Sequence, residues 1–191
     1  MNFINYVFSI LNELFSKLRT NFGCLYKLIE AISTIDILQS FAHVAMLYEY
    51  IRPEYGDTLA IKNANHPILL KISKEPPITN NIYISKETSL VLLTGANMSG
   101  KSTYLRQIAM LQIMAQIGSF IPATYACIRL TTQIFTRIGT DDCIEFNSSS
   151  FEQEMIEMNY ILNNFTSDSL ILIDELCRST SIDEGLFNIK L

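Results

Sequence analysis

The amino-acid sequence predicts an α/β fold, a sandwich with a mainly parallel sheet preceded by helices. Three observations carry that reading. From residue 88 onward helical and strand-like patterns alternate, the arrangement that builds parallel sheets covered by helices. Inside that region "TSLVLLTGANMSGKST" runs from an apolar stretch through two glycines into the start of a helix. Farther on, "SLILIDE" is an apolar run that ends in two acids. With 191 residues, 49% of them hydrophobic, the chain can bury a core for one domain, or for one domain and an appendage.

The elements follow in order. In "MNFINYVFSILNELFSKLRT" the residues Phe3, Val7, Ile10, Leu11, Leu14 and Leu18 recur at helical spacing, which predicts an amphipathic helix over roughly 3–18. This stretch has no basic leader and no small-residue cleavage site, and Glu13 interrupts it well short of a membrane span. A soluble, intracellular chain with no membrane partner is therefore expected. A second helix is predicted over roughly 25–50, with Leu28, Ile32, Ile35, Phe41, Ala45 and Met46 near helical period. "RPEYG", Arg52 to Gly56, breaks the pattern and divides a helical segment, 1–53, from a second domain, 54–191. Strand-like runs come next, "TLAIK", "HPILLKI" and "NIYI", with the turn-rich "SKEPPITNN" between the second and third. "TSLVLLT" is predicted as the strand before the glycines, residues 101–117 as a long helix and 125–130 as a strand. A helix over 151–163 and the buried strand "SLILIDE" complete the pattern.

Charge and cysteine usage narrow the function. Fourteen basic residues stand against nineteen acidic ones, a net charge of −5, and no basic run occurs. A chain that grips nucleic-acid phosphates unaided shows a basic stripe, so direct DNA binding by these residues alone is not expected. Cys24, Cys127, Cys143 and Cys177 form no C-x-x-C pair, and His43 and His66 are the only histidines. No zinc framework assembles from that set, and scattered thiols suit a reducing compartment.

The chemistry concentrates in Gly95-x4-Gly100-Lys101-Ser102, a full phosphate-loop pattern. The glycines let the backbone curl so that its N–H groups face phosphate oxygens beside a helix N-terminus. Lys101 supplies a charge for the terminal phosphates, and the Ser102 hydroxyl is placed for Mg²⁺. In "SLILIDEL" the acids Asp174 and Glu175 fall at a strand C-terminus, the side of a parallel sheet that faces the ligand crevice. Asp174 can hold the metal ion through water, and Glu175 can orient or deprotonate an attacking water. An ATPase or GTPase site is the reading, and no guanine-reading N-K-x-D pattern is visible. "NSSSFEQEM" contains Ser150 and Gln153 in capping-box spacing, which marks a helix start and also an anion site.

Taken together, "TGANMSGKSTYLRQIAMLQIMAQIGSFIPA", "IFTRIGTDD", "SSSFEQEM" and "SLILIDEL" resemble the ATPase domain of MutS-type DNA mismatch-recognition proteins. "SFAHVAMLYEYIRPEYGDTLAIKNANHPIL" resembles that family's helical lever running into the ATPase domain, and the resemblance covers roughly residues 25–186. "NMSGKSTYLRQIA" with "PPITNNIYI" is most similar to the family's meiotic branch, that of the fourth eukaryotic homologue. The resemblance implies an ABC-type ATPase with ATP and Mg²⁺ at a composite site between two subunits. Gly95, Ala96, Asn97, Met98, Ser99, Gly100, Lys101, Ser102 and Thr103 would cradle the phosphates, and Ile78 would pack on the adenine. Ser102 and Asp174 would serve the metal ion, with Lys101 and Glu175 as catalytic groups. Ser149 would reach the γ-phosphate bound by the partner subunit, so the chain alone is expected to turn over ATP negligibly. His66, in the family's "HP" turn, is assigned a structural role.

The same resemblance implies a nuclear protein, paired with the fifth homologue, that clamps mismatched or branched DNA through domains other than this one. Crossover formation in meiosis would be its setting. Three departures stand out: Ala96 where the family has proline, Cys177-Arg178-Ser179 where it has Gly-Arg-Gly, and an ending at Leu191 that leaves the family pattern. The last makes a C-terminally truncated fragment the expectation. Two other functions fit the sequence, a mismatch-repair paralogue and a remnant that binds nucleotide or partner without turnover.

Overall fold

A computed structural model describes residues 3–138 and 150–176, without the side chains of residues 20, 21, 150 and 151. The chain divides into two compact units at the Leu47–Tyr48 junction.

The first unit is one helix, α1 (Phe3–Leu47), where two were expected. The expected break at residues 19–24 contains no proline, and one interior glycine, Gly23, costs a helix only about 1 kcal/mol relative to alanine. Once nucleated, a helix gains a hydrogen bond for each added residue, so that cost does not stop it. Phe3, Phe8, Phe15, Ile29, Ile35 and Leu38 are all exposed. The stretch Phe22–Leu47 is long and apolar enough, by length and composition, to cross a membrane. Lys27, Glu30 and Asp36 interrupt it, and bundle helices of soluble proteins meet the same test.

The second unit is a mixed α/β body. Its four-stranded sheet has the order β1 (Glu54–Tyr55), β4 (Tyr125–Ile128), β2 (Leu59–Ala64), β3 (Asn80–Ile84). Only β1 and β4 are parallel; β2 runs antiparallel to both β3 and β4. The mainly parallel sheet expected from the sequence is therefore not what residues 54–128 form. A parallel pair appears farther on, where β5 (Gln133–Arg137) and β6 (Ser169–Ile173) run in register from Gln133↔Ser169 to Arg137↔Ile173. Asn63 sits in the left-handed region at φ 50, where the β2–β3 register shifts between Ile61 and Ala64. Asparagine tolerates that conformation better than most residues.

Helix α3 (Lys101–Gln116) buries Gln107, Ile108, Leu111, Gln112 and Ala115, a stripe at helical spacing. Ile108, Leu111 and Ala115 belong to one core with Leu59, Ile61, Ile82 and Ile128 of the four-stranded sheet and Leu170 and Leu172 of β6. α4 (Ser150–Asn164) lies along β5, with Tyr160 edge-on to Phe135 at 6.3 Å.

Three more expectations are corrected here. "HPILLKI" is not a strand. His66 Nδ1 accepts the N–H groups of Ile68 and Leu69 at 3.3 and 3.4 Å, and Pro67 presets φ for a turn into the short α2 (Leu69–Ile72). "TSLVLLT" forms no strand either; Leu90 and Leu92 are 88% and 85% exposed. An apolar run becomes a strand only where neighbours take up its N–H and C=O groups, and no described strand lies beside this one. Finally, β6 is buried on one face only. Leu170 and Leu172 point inward while Ile171 is exposed, because β5 alone pairs with it among the described residues.

Candidate nucleotide-binding site

The loop before α3 is shaped by two glycines. At Gly95 an added Cβ would stand 2.9 Å from the Ser99 hydroxyl, so a larger residue would need that side chain to turn away. Gly100 caps α3 at φ 92, a left-handed conformation that glycine adopts at little cost. Met98 between them also has positive φ, 62°, and its side chain is fully exposed.

No side chain caps the α3 N-terminus, so its first N–H groups stay open as donors at the positive end of the helix dipole. An anion is the natural ligand of such an end. Lys101 Nζ donates to the carbonyls of Gly95 and Ala96, each at 3.0 Å, and so closes the loop over itself. Ser102 and Thr103 follow in the first turn, half-buried. Ammonium, two hydroxyls and open amides on a tight loop form a donor set that fits phosphate and Mg²⁺. Among the described residues no three His, Cys, Asp or Glu side chains converge. Mg²⁺ is commonly held by one or two carboxylates together with phosphate oxygens and water.

The second motif follows β6, whose Leu170 and Leu172 belong to the same core. Asp174 donates its N–H to the Arg137 carbonyl at 2.8 Å, extending the β5–β6 ladder by one bond. Asp174 is half-buried, and Glu175 is exposed with φ 45. A non-glycine residue held there stores on the order of 1–3 kcal/mol, and such strain clusters at functional sites. Among the described residues four non-glycines have positive φ, and two of these, Met98 and Glu175, fall in the two motifs.

Buried polar side chains that the sequence reading passed over hold α3 in place. Gln107 Nε2 donates to the Ala64 carbonyl at 2.7 Å, and Gln107 Oε1 accepts from Asn80 Nδ2 at 2.9 Å. The Tyr104 hydroxyl donates to the Asn81 carbonyl at 2.8 Å, and burial pushes that phenol's pKa up. Gln112 Nε2 donates to the Arg129 carbonyl at 2.7 Å, and the Tyr55 hydroxyl to the Ala115 carbonyl at 2.6 Å. The signal was present: Gln107 and Gln112 lie on the apolar stripe of α3, where a polar residue must find partners.

The remaining predicted residues are placed as follows. Ile78 is 88% exposed, two residues before β3, whose first two residues bond to Gln107 and Tyr104 of α3. It therefore sits next to the segment joined to the first turns of the loop helix. His66 is buried in its turn and far more occupied with backbone than with solvent, in keeping with the structural role assigned to it. Ser149 and the Cys177-Arg178-Ser179 stretch lie outside the described residues.

A phosphate-type loop leading into a helix, packed in one core with a strand that ends in Asp-Glu, defines a nucleotide-binding class of protein. Residues 91–189 match the family model for MutS domain V. The chain belongs to the MutS family. It is 56% identical over 179 residues to MutS protein homolog 4 of Mus musculus and 55% identical to that of Homo sapiens, each covering 94% of this chain. It is also 43% identical over 182 residues to DNA mismatch repair protein MSH4 of Arabidopsis thaliana, covering 92% of this chain. The chain spans only about one fifth of the length of these relatives (19%, 19% and 23%).

Proposed function

We propose that this chain is the ATP-binding and ATP-hydrolysing part of a MutS-type clamp on mismatched or branched DNA, acting in meiotic crossover formation. The observation that carries the reading is the loop Gly95–Thr103: an uncapped helix N-terminus, glycine at both hinge points and Lys101 folded over it. The identity to MutS protein homolog 4 supports the meiotic setting, and with it a nuclear location. Residues 1–53 act as the lever segment and 54–191 as the ATPase domain. DNA contact and pairing with another MutS homologue, the fifth in this reading, fall to the longer protein.

In this reading Lys101 exchanges the Gly95 and Ala96 carbonyls for phosphate oxygens, and the open amides of α3 take the remaining charge. Ile78 packs its exposed side chain on the base. Bound Mg²⁺–ATP supplies the phosphoanhydride to be cleaved and the divalent charge that steadies its oxygens. Ser102 and Asp174 hold that ion, Glu175 orients the attacking water, and Ser149 serves the nucleotide of the partner subunit. Titrating the full-length protein with a fluorescent, non-hydrolysable ATP analogue, with and without Mg²⁺, tests the site. Saturable, Mg²⁺-enhanced binding is expected, and no binding at millimolar analogue would end the reading. The substitution of two family glycines by Cys177 and Ser179 favours one alternative, a module that binds nucleotide without turnover. Phosphate release measured beside the same titration separates the two.

A further inference from the structure

Arg137 joins the strand end that carries Asp174 to the helix α4. Its carbonyl accepts the Asp174 N–H at 2.8 Å, so its backbone sets the first residue beyond β6. Its side chain, only 20% exposed, reaches the other way. Arg137 Nε stands 2.8 Å from Glu157 Oε2, and Nη2 stands 3.9 Å from Oε1 of Glu154, a carboxylate that is 3% exposed. The approach to Glu157 is short but off the N–H direction, so attraction between charges holds it more than an aligned hydrogen bond. Glu154 and Glu157 are one turn apart on α4 and present a two-carboxylate face to a planar cation.

We propose that Arg137 is a positioning residue that braces the Asp174–Glu175 strand end against α4, so that Asp174 and Glu175 stay placed for the metal ion and the attacking water. The proposal rests on the nucleotide-site reading above. Arg137 touches no nucleotide itself. One residue carries both halves of the link, backbone to Asp174 and guanidinium to α4, so a shift of either is felt by the other. Charge alone does not replace it, because a lysine lacks the fork that spans two carboxylates.

The test uses the full-length protein with its partner subunit and compares wild type, Arg137→Met and Arg137→Lys. Affinity for the Mg²⁺-free ATP analogue, the Mg²⁺ concentration at half-maximal turnover, and kcat are measured. For Arg137→Met, kcat should fall on the order of 10- to 100-fold, as when groups behind a metal ligand are removed, with analogue affinity within about twofold. The Mg²⁺ requirement should rise, and Arg137→Lys should recover part of kcat. Wild-type kcat in both variants overturns the proposal. So does a fall in kcat that follows a lowered thermal midpoint and vanishes on cooling. If Arg137→Met fails to fold, Arg137→Lys decides alone, and wild-type kcat and Mg²⁺ dependence there overturn it. A wild-type protein that binds no analogue refutes the nucleotide site itself, a different result from either.

Discussion

The two ends of α3 are built by opposite rules. Before and at its first turn, residues 95–100 are exposed, two of them have positive φ, and the helix amides are left uncapped. From the second turn on, Gln107, Leu111, Gln112 and Ala115 are at most 1% exposed and every one touches the core or a backbone carbonyl. One helix thus carries an open, strained end and a body held by core packing and polar bonds, with the buried Gln112 Oε1 its one unpaired side-chain atom among the described residues. The difference shows how an unfinished set of donors persists in a folded protein. The body is overdetermined by packing and polar pins, so the loop can keep its amides free for a ligand instead of spending them on caps. Changes at the open end should therefore alter nucleotide chemistry and leave stability alone, and changes in the body should do the reverse.

The largest effect expected is at the end of β6. Glu175→Gln should keep nucleotide binding and lower the turnover of the full-length protein by ~10²–10⁴-fold, the usual cost of a lost general base. Glu175 is exposed, so the thermal midpoint should stay put. Single-turnover phosphate release checks this, and unchanged turnover moves the base elsewhere. Next is the body of the helix. Leu111 is 0% exposed within the shared core, and Leu111→Ala should cost about 2–5 kcal/mol in a denaturant titration. A cost under about 0.5 kcal/mol would show that the core does not close on α3 as described. Lys101→Ala comes third. Losing charge-assisted bonds worth about 1.5–3 kcal/mol should weaken analogue binding by roughly 10- to 150-fold. The freed carbonyls of Gly95 and Ala96 face water, so the fold should be indifferent. Wild-type affinity in that variant would place the phosphates somewhere other than this loop.

The same division explains what could be read from the sequence. The loop was legible because its chemistry is local: glycine spacing, Lys101 and Ser102 are adjacent in the chain. Helix α3 and strand β6 were legible too, since their patterns are strong and their ends fall within a residue or two of the expected limits. What failed depends on neighbours. "TSLVLLT" reads as a strand by composition, but a strand exists only with a ladder partner. "HPILLKI" is β-like by its apolar run, yet the ring nitrogen of His66 organises two amides into a helical turn. β5 went unnoticed because "QIFTR" has a weak pattern alone and becomes a strand through its pairing with β6. The two expected helices join in α1 because the one glycine between them costs too little to stop a helix. Polar pins such as Gln107 need the fold to be recognised, because their partners are 27 and 43 residues away.

The smallest expected effect lies at His66, in the scaffold. Its ring is buried, and Nδ1 accepts from the backbone of Ile68 and Leu69, a role that only the neutral ring can fill. Burial first, and the nearby Arg106 charge as a lesser cause, lower its pKa below the ordinary value of about 6.5. The sign follows. Above pH ~6.5 the ring is neutral in both folded and unfolded chains, and its contribution to stability is fully present. As pH falls from there toward the lowered folded pKa, the unfolded chain takes up the proton first, so stability is lost across that window. Asparagine at this position keeps an acceptor for a helix start without a titrating group. Denaturant midpoints at pH 7.5, 6.5 and 5.5 should therefore drop more for the wild type than for His66→Asn, with the gap opening below pH 6.5. Parallel curves for the two proteins would mean that the ring accepts its proton without disturbing the turn. The hydrogen bonds to Nδ1 would then contribute nothing that pH can remove.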